Sequence, residues 1–145
     1  MNPSAAARSR TRQFLVQALY QAQLTEVDYV DVLTPFINDH NMKRADLEYF
    51  REVIRGIGSD EQELIQLIES KSDRKFDELD PVEKGILLMG AFELRSRIEI
   101  PYRVVINEAI ELSKSFGATD SYRFVNTVLD ELSRELRKLE QHDSQ

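Results

Sequence analysis

The sequence predicts an all-α protein, a single compact domain of about six or seven helices. Three observations carry that expectation. The 145 residues include only five Gly and four Pro, too few for the many turns of a β-sandwich. Apolar residues recur at spacings of three and four along most of the chain, which is the period of a helix face. Residues 80–94, DPVEKGILLMGAFEL, open with a helix-start signature, and no segment requires a strand.

The first helix covers about Ala5 to Gln23, with Leu15, Ala18, Leu19 and Ala22 in one stripe and Phe14 beside it. A second is expected over Tyr29 to Asn38, although Pro35 in its middle is unfavourable there. A third runs from about Ala45 to Ile57. Gly56 and Gly58 loosen its end, and Ser59 or Asp60 caps a fourth helix that carries Leu64, Ile65, Leu67 and Ile68. Asp80 then fits an N-cap, Pro81 the first helical position and Glu83 the capping-box position. The run Ile86 to Phe92 is apolar nearly all round, so this helix is the central one, with Gly85 and Gly90 allowing close approach.

After Pro101 a helix carries Val105, Ile106, Ala109, Ile110, Leu112 and Phe116, and Gly117 sits where a left-handed residue is wanted. Thr119 and Asp120 open the last helix, whose inward face is Val125, Val128, Leu129, Leu132, Leu136 and Leu139. A short basic arm over residues 1–12 and a frayed tail over residues 140–145 are expected at the two ends.

Composition removes several classes of function. Without Cys there is neither a disulfide nor a thiolate metal site. The longest apolar run is far too short to span a membrane, and the N-terminus lacks the apolar core of a signal peptide. A cytoplasmic protein is expected. His40 and His142 stand alone, with no second His at a ligand spacing, so both are read as solvated. Asp77, Glu78 and Asp80 lack the oxygen pattern of a calcium loop, and the glycines of RGIGSDEQ follow no strand. No cofactor, metal or enzyme chemistry is argued for by any of these.

Charge is more informative. The net charge is −7, yet Arg8, Arg10 and Arg12 stand together with no acidic residue before Glu26. Outside that stretch 16 of the 19 basic residues face all 26 acidic ones. Such a body repels nucleic acid as a whole, so any contact must be local or helped by a basic partner. If the first helix extends back to Ala5, Arg8 and Arg12 share a face and Arg10 points away. A loose arm would instead let all three follow a phosphate backbone.

A second candidate lies where one helix ends and the next begins. Asp120 and Ser121 stand at a helix N-terminus, which offers unpaired N–H groups and a positive dipole end. Tyr122, Arg123 and Phe124 follow, with two ring faces on which an unpaired base can stack and one added charge. Phe124 also falls four residues before Val128, so it serves equally well as core. Asp120 reads first as a helix-start residue, and as an RNA contact it would accept hydrogen bonds from bases.

The stretches RQFLVQALYQAQL, YFREVIRGI, PVEKGILLMGAFEL, IPYRVVINEAIEL and INEAIELSKSFGATDSYRFVNTVLDEL together closely resemble the NusB family of bacterial transcription antitermination factors. The resemblance runs from about Arg8 to Leu132. It implies two crossed three-helix bundles, sometimes assembled as homodimers. It implies binding to boxA, a short single-stranded RNA element of ribosomal operon leaders. It also implies partnership with NusE, the small-subunit ribosomal protein uS-ten, within the antitermination complex on RNA polymerase. The family's RNA-contacting positions fall on Arg8, Arg10 and Arg12, and on Asp120, Ser121, Arg123 and Phe124, with an aromatic at Tyr122. Tyr20 and Glu83 match positions on the NusE side. Ser9 and Thr11 interrupt an arginine run that is often denser, and the extension SRELRKLEQHDSQ matches no family motif.

Two other readings compete. One is a protein-binding helical adaptor without sequence-specific RNA recognition. The other is part of an RNA-modifying enzyme, since similar domains occur fused to RNA cytosine methyltransferases. No cofactor domain with a glycine-rich loop is expected within these 145 residues.

Overall fold

The computed structural model describes residues 4–143. Its α-helices are α1 (Ala5–Thr25), α2 (Leu33–Asp39), α3 (Leu47–Ser70), α4 (Pro81–Ser96), α5 (Tyr102–Phe116), α6 (Ser121–Leu136) and α7 (Lys138–Asp143). No strand occurs among the described residues. The fold is all-α, as the periodicity requires. Two compact units meet in sequence at Asp60 and Glu61. Asp60, at φ −111° and ψ 19°, interrupts α3 there. The expected break in this region is therefore one residue, and Gly56 and Gly58 both lie within the helix.

In the first unit, α1 starts at Ser4, whose hydroxyl accepts from the Ala7 N–H at 3.0 Å. This cap converts most of the expected arm into helix, since residues 5–12 belong to α1 and only residues 1–3 lie outside the described ones. At the other end Glu26 adopts the left-handed conformation, φ 57°, and its N–H reaches the Ala22 carbonyl.

Pro35 reshapes the second helix. A 3₁₀ turn over Tyr29–Val32 comes first, and α2 restarts at Leu33. Pro35 thus falls in a first turn, where a missing N–H breaks no helical bond. Asp46 caps α3 by accepting from Tyr49 N–H at 3.1 Å. The Asp46 N–H donates to the Thr11 hydroxyl at 2.7 Å, and that hydroxyl donates to the Ala7 carbonyl at 2.8 Å. Phe36 stacks on Phe50 with centroids 5.5 Å apart, and Phe14 meets Phe36 edge-on. His40 is packed rather than solvated. Its ring stacks on Phe36 at 3.8 Å and its Nδ1 lies 2.9 Å from the Phe36 carbonyl.

In the second unit α4, α5 and α6 pack on one another, with α7 against α6. Asp80 caps α4 as expected, accepting from Glu83 N–H at 2.8 Å, with Pro81 at the helix start. Every residue from Ile86 to Phe92 is buried. A Cβ on Gly90 would lie 2.8 and 2.9 Å from the Leu129 methyls, so glycine is what permits this approach of α6.

The chain end departs most from expectation. Leu139, expected on the inward face, is 83% exposed. The helical register stops at Leu136 and restarts at Lys138, which turns that position outward. The buried residue is Arg137, at 3% exposure. Its guanidinium donates to the carbonyls of Leu94, Ile100, Glu93 and Arg97 at 2.7–3.1 Å, and to Glu140 at 2.6 Å. Residues 140–143, expected to fray, belong to α7. Ser144, Gln145 and the His142 side chain lie outside the described residues.

Candidate nucleic-acid interface

The turn between α5 and α6 is tight for a reason of space rather than of backbone handedness. Gly117 has φ −95° and ψ 177°, an extended conformation open to any residue, not the left-handed one expected. A Cβ there would stand 2.8 Å from the Ser113 carbonyl oxygen and 3.2 Å from the Ser121 Cβ. The close approach buries Ser121 against the turn. Asp120 precedes α6 but makes no side-chain cap. Its carboxylate lies 3.7 Å from the Arg123 Nε instead, and both side chains are exposed.

Beside this turn lies a groove of about 800 Å³, lined among others by Lys71, Asp73, Arg74, Asp120, Arg123 and Phe124. The Arg74 guanidinium sits 3.9 Å above the centre of the Phe124 ring. Asp73 is 3.6 Å from the Arg74 Nε, and Lys71 pairs with Glu135 at 3.3 Å. Tyr122 is half-buried, with Lys114 and Arg123 near its ring at 5.1 and 5.3 Å. The groove thus combines cations, an aromatic face and carboxylate acceptors, which is a chemistry suited to unpaired nucleotides.

Sequence reasoning missed Lys71 and Arg74. The cluster KSDRK is visible at residues 71–75. Its meeting with Phe124, fifty residues away, is a tertiary fact that no local pattern carries.

The three N-terminal arginines do not act alike. Arg12 is 2% exposed, so its charge is spent inside the fold. Arg8 lies 4.0 Å over the Tyr49 ring and 3.5 Å from Asp46. Arg10, two residues on and on the other side of α1, is half-buried.

A sequence model of the NusB family matches residues 9–134. The chain belongs to the NusB family. That makes it a transcription antitermination factor. It is 44% identical over 138 residues to the transcription antitermination protein NusB of Marinobacter nauticus, covering 95% of this chain and 87% of that one. It is 46% identical to the NusB protein of Hamiltonella defensa over 145 residues, covering 100% and 95%. Among solved structures, T. maritima NusB superposes with a TM-score of 0.79 at 30% identity, covering 88% of this chain and 91% of that one.

Of the positions that the NusB resemblance singles out, Asp120, Arg123 and Phe124 come together at the groove, with Tyr122 adjacent. Ser121 and Arg12 are buried. On the expected partner side Tyr20 is exposed, while Glu83 is only 6% exposed. Leu24, Val27 and Val30 near Tyr20 in sequence are exposed as well. Among the described residues no group of three or more His, Asp or Glu is placed to hold a metal, and no helix is long and apolar enough to cross a membrane.

Proposed function

We propose that this NusB-family factor binds single-stranded boxA RNA of ribosomal operon leaders together with NusE, the ribosomal protein uS-ten, and so supports processive transcription of ribosomal RNA operons. The observation that carries the reading is the groove beside α6, where Phe124 lies among Lys71, Arg74 and Arg123. On a body of net charge −7, a groove that sets three cations and an aromatic ring among three carboxylates is where a short unpaired RNA segment would dock.

The reading narrows the set of contacts. Arg123, Phe124 and Asp120 are the principal RNA residues, with Arg10 and Arg8 contributing from α1. Arg12 and Ser121, both buried, support the site from within the fold. Tyr122 flanks the patch. The acidic remainder suits a basic ribosomal protein, and the exposed Tyr20, Leu24, Val27 and Val30 offer apolar surface for it. Bivalent capture by the pair raises the local concentration of RNA at the polymerase.

Fluorescence anisotropy with labelled boxA RNA and its scrambled version, with and without NusE, tests the reading. Preference for boxA that sharpens with NusE is expected. With about three or four phosphates neutralised, the slope of log affinity against log salt is about −2 to −3. Binding of NusE without any preference between the two RNAs would favour the adaptor reading, to which the exposed apolar residues of the first unit also point.

A further inference from the structure

Phe124 is not an open platform in this structure. One face of its ring is already occupied by the Arg74 guanidinium, 3.9 Å from the ring centre. Arg74 sits in the segment joining α3 to α4, belongs to no helix and is half-exposed. Asp73 beside it, 3.6 Å from its Nε, is itself almost fully exposed and holds the guanidinium only weakly. The groove around the pair is open and roomy, about 800 Å³. A planar cation and a planar ring therefore face each other with a movable partner on one side and the rigid α6 on the other.

We propose that Arg74 is a specificity residue of the RNA site, and that an unpaired base is clamped between its guanidinium and the Phe124 ring. The inference rests on the RNA-binding reading above. Guanidinium planes and aromatic rings both stack on base faces, and a base has two faces to offer. Insertion needs the two groups to separate from 3.9 Å to about 7 Å, two stacking distances. That displacement falls on Arg74, because Phe124 is anchored on α6 between the buried Ser121 and Val125. The carboxylates of Asp73 and Asp120 then lie where they oppose phosphate but accept hydrogen bonds from base edges. The clamp consequently rewards a splayed, single-stranded base over a duplex backbone.

The alternative role for the same contact is a lid that Arg74 must vacate. The two differ in sign. A clamp loses affinity when Arg74 is removed, and a lid gains it.

The experiment uses the full chain and boxA RNA carrying a single 2-aminopurine at successive positions. Wild-type protein is expected to quench one position strongly on binding. Arg74→Ala should lose about 3- to 10-fold in boxA affinity and most of that quenching, with Arg74→Lys intermediate. Phe124→Leu should abolish the quenching. In the double variant the two losses should fall short of adding, because both groups hold one base. Circular dichroism of Arg74→Ala reports that the fold is intact. Unchanged or increased affinity in Arg74→Ala, while the wild type still prefers boxA, would overturn the clamp and leave the RNA function standing. No boxA preference in the wild type would remove the function reading and the clamp with it.

Discussion

Arg137 and Glu140 form one clasp that closes two helix ends at once. The Arg137 guanidinium donates to the Glu93 and Leu94 carbonyls in the last turn of α4 and to the carbonyls of Arg97 and Ile100 just beyond. It pairs at 2.6 Å with one Glu140 oxygen, while the other accepts the Tyr102 N–H that opens α5, at 2.8 Å. Helix ends leave carbonyls at one terminus and N–H groups at the other without partners. A cation meets the first and an anion the second, in the sense the helix dipoles favour.

Arg137→Ala is therefore expected to destabilise the protein by about 3–5 kcal/mol, since it removes the guanidinium from the buried Leu94 and Ile100 carbonyls and from one Glu140 oxygen, while the Glu93 and Arg97 carbonyls keep only their backbone donors. Glu140→Gln keeps the shape and should cost about 1 kcal/mol. Urea denaturation gives both values. A C-terminal deletion removing both residues with no loss of stability would contradict this account.

The turn before α6 predicts a second outcome. Gly117→Ala places a Cβ against the Ser113 carbonyl oxygen, which is backbone and cannot rotate away. A loss of about 1–3 kcal/mol is expected. Because the displaced segment carries Asp120 and Arg123, RNA affinity should fall with it. Thermal melts and anisotropy on the same sample read the two effects.

Glu26 supplies a prediction of opposite sign. A non-glycine residue at φ 57° pays for its Cβ, so Glu26→Gly should gain about 0.5–1 kcal/mol. A lower melting temperature would mean that the Glu26 side chain does more than fill the cap.

The arginines of α1 should separate by assay. Arg12→Ala should lower stability, because a buried guanidinium leaves its partners unpaired. Arg10→Ala should leave the melting temperature within about 2 °C, an effect of order 0.5 kcal/mol or less. It should also flatten the salt slope of RNA binding by about 0.7. Equal effects of the two substitutions on both assays would refute the division.

Much of the fold was legible. Asp80 and Pro81 announced α4, and Gly90 announced a close helix approach without naming its partner, because caps and small residues leave local signatures. Pro35 was visible but its consequence was not, since only the 3₁₀ turn before Leu33 shows how the chain puts a proline in a first turn. Leu139 was misplaced because periodicity extrapolates through a helix end that Arg137 creates by bonding to carbonyls of α4 and beyond. The same limit applies to the site. Asp120, Arg123 and Phe124 were readable as a cluster, whereas Arg74 meets them only through tertiary folding. Helical spacing from Ala5 already set Arg10 apart from Arg8 and Arg12, whereas the near-complete burial of Arg12 shows only in the fold.

The most direct test of the central claim is a ¹⁵N amide titration of the protein with boxA RNA. The account predicts that the largest shifts fall at residues 71–74 and 118–127, with smaller ones near Arg10 and little change at Leu139. Shifts confined to the neighbourhood of Tyr20 and Leu24, or none at saturating RNA, would contradict it.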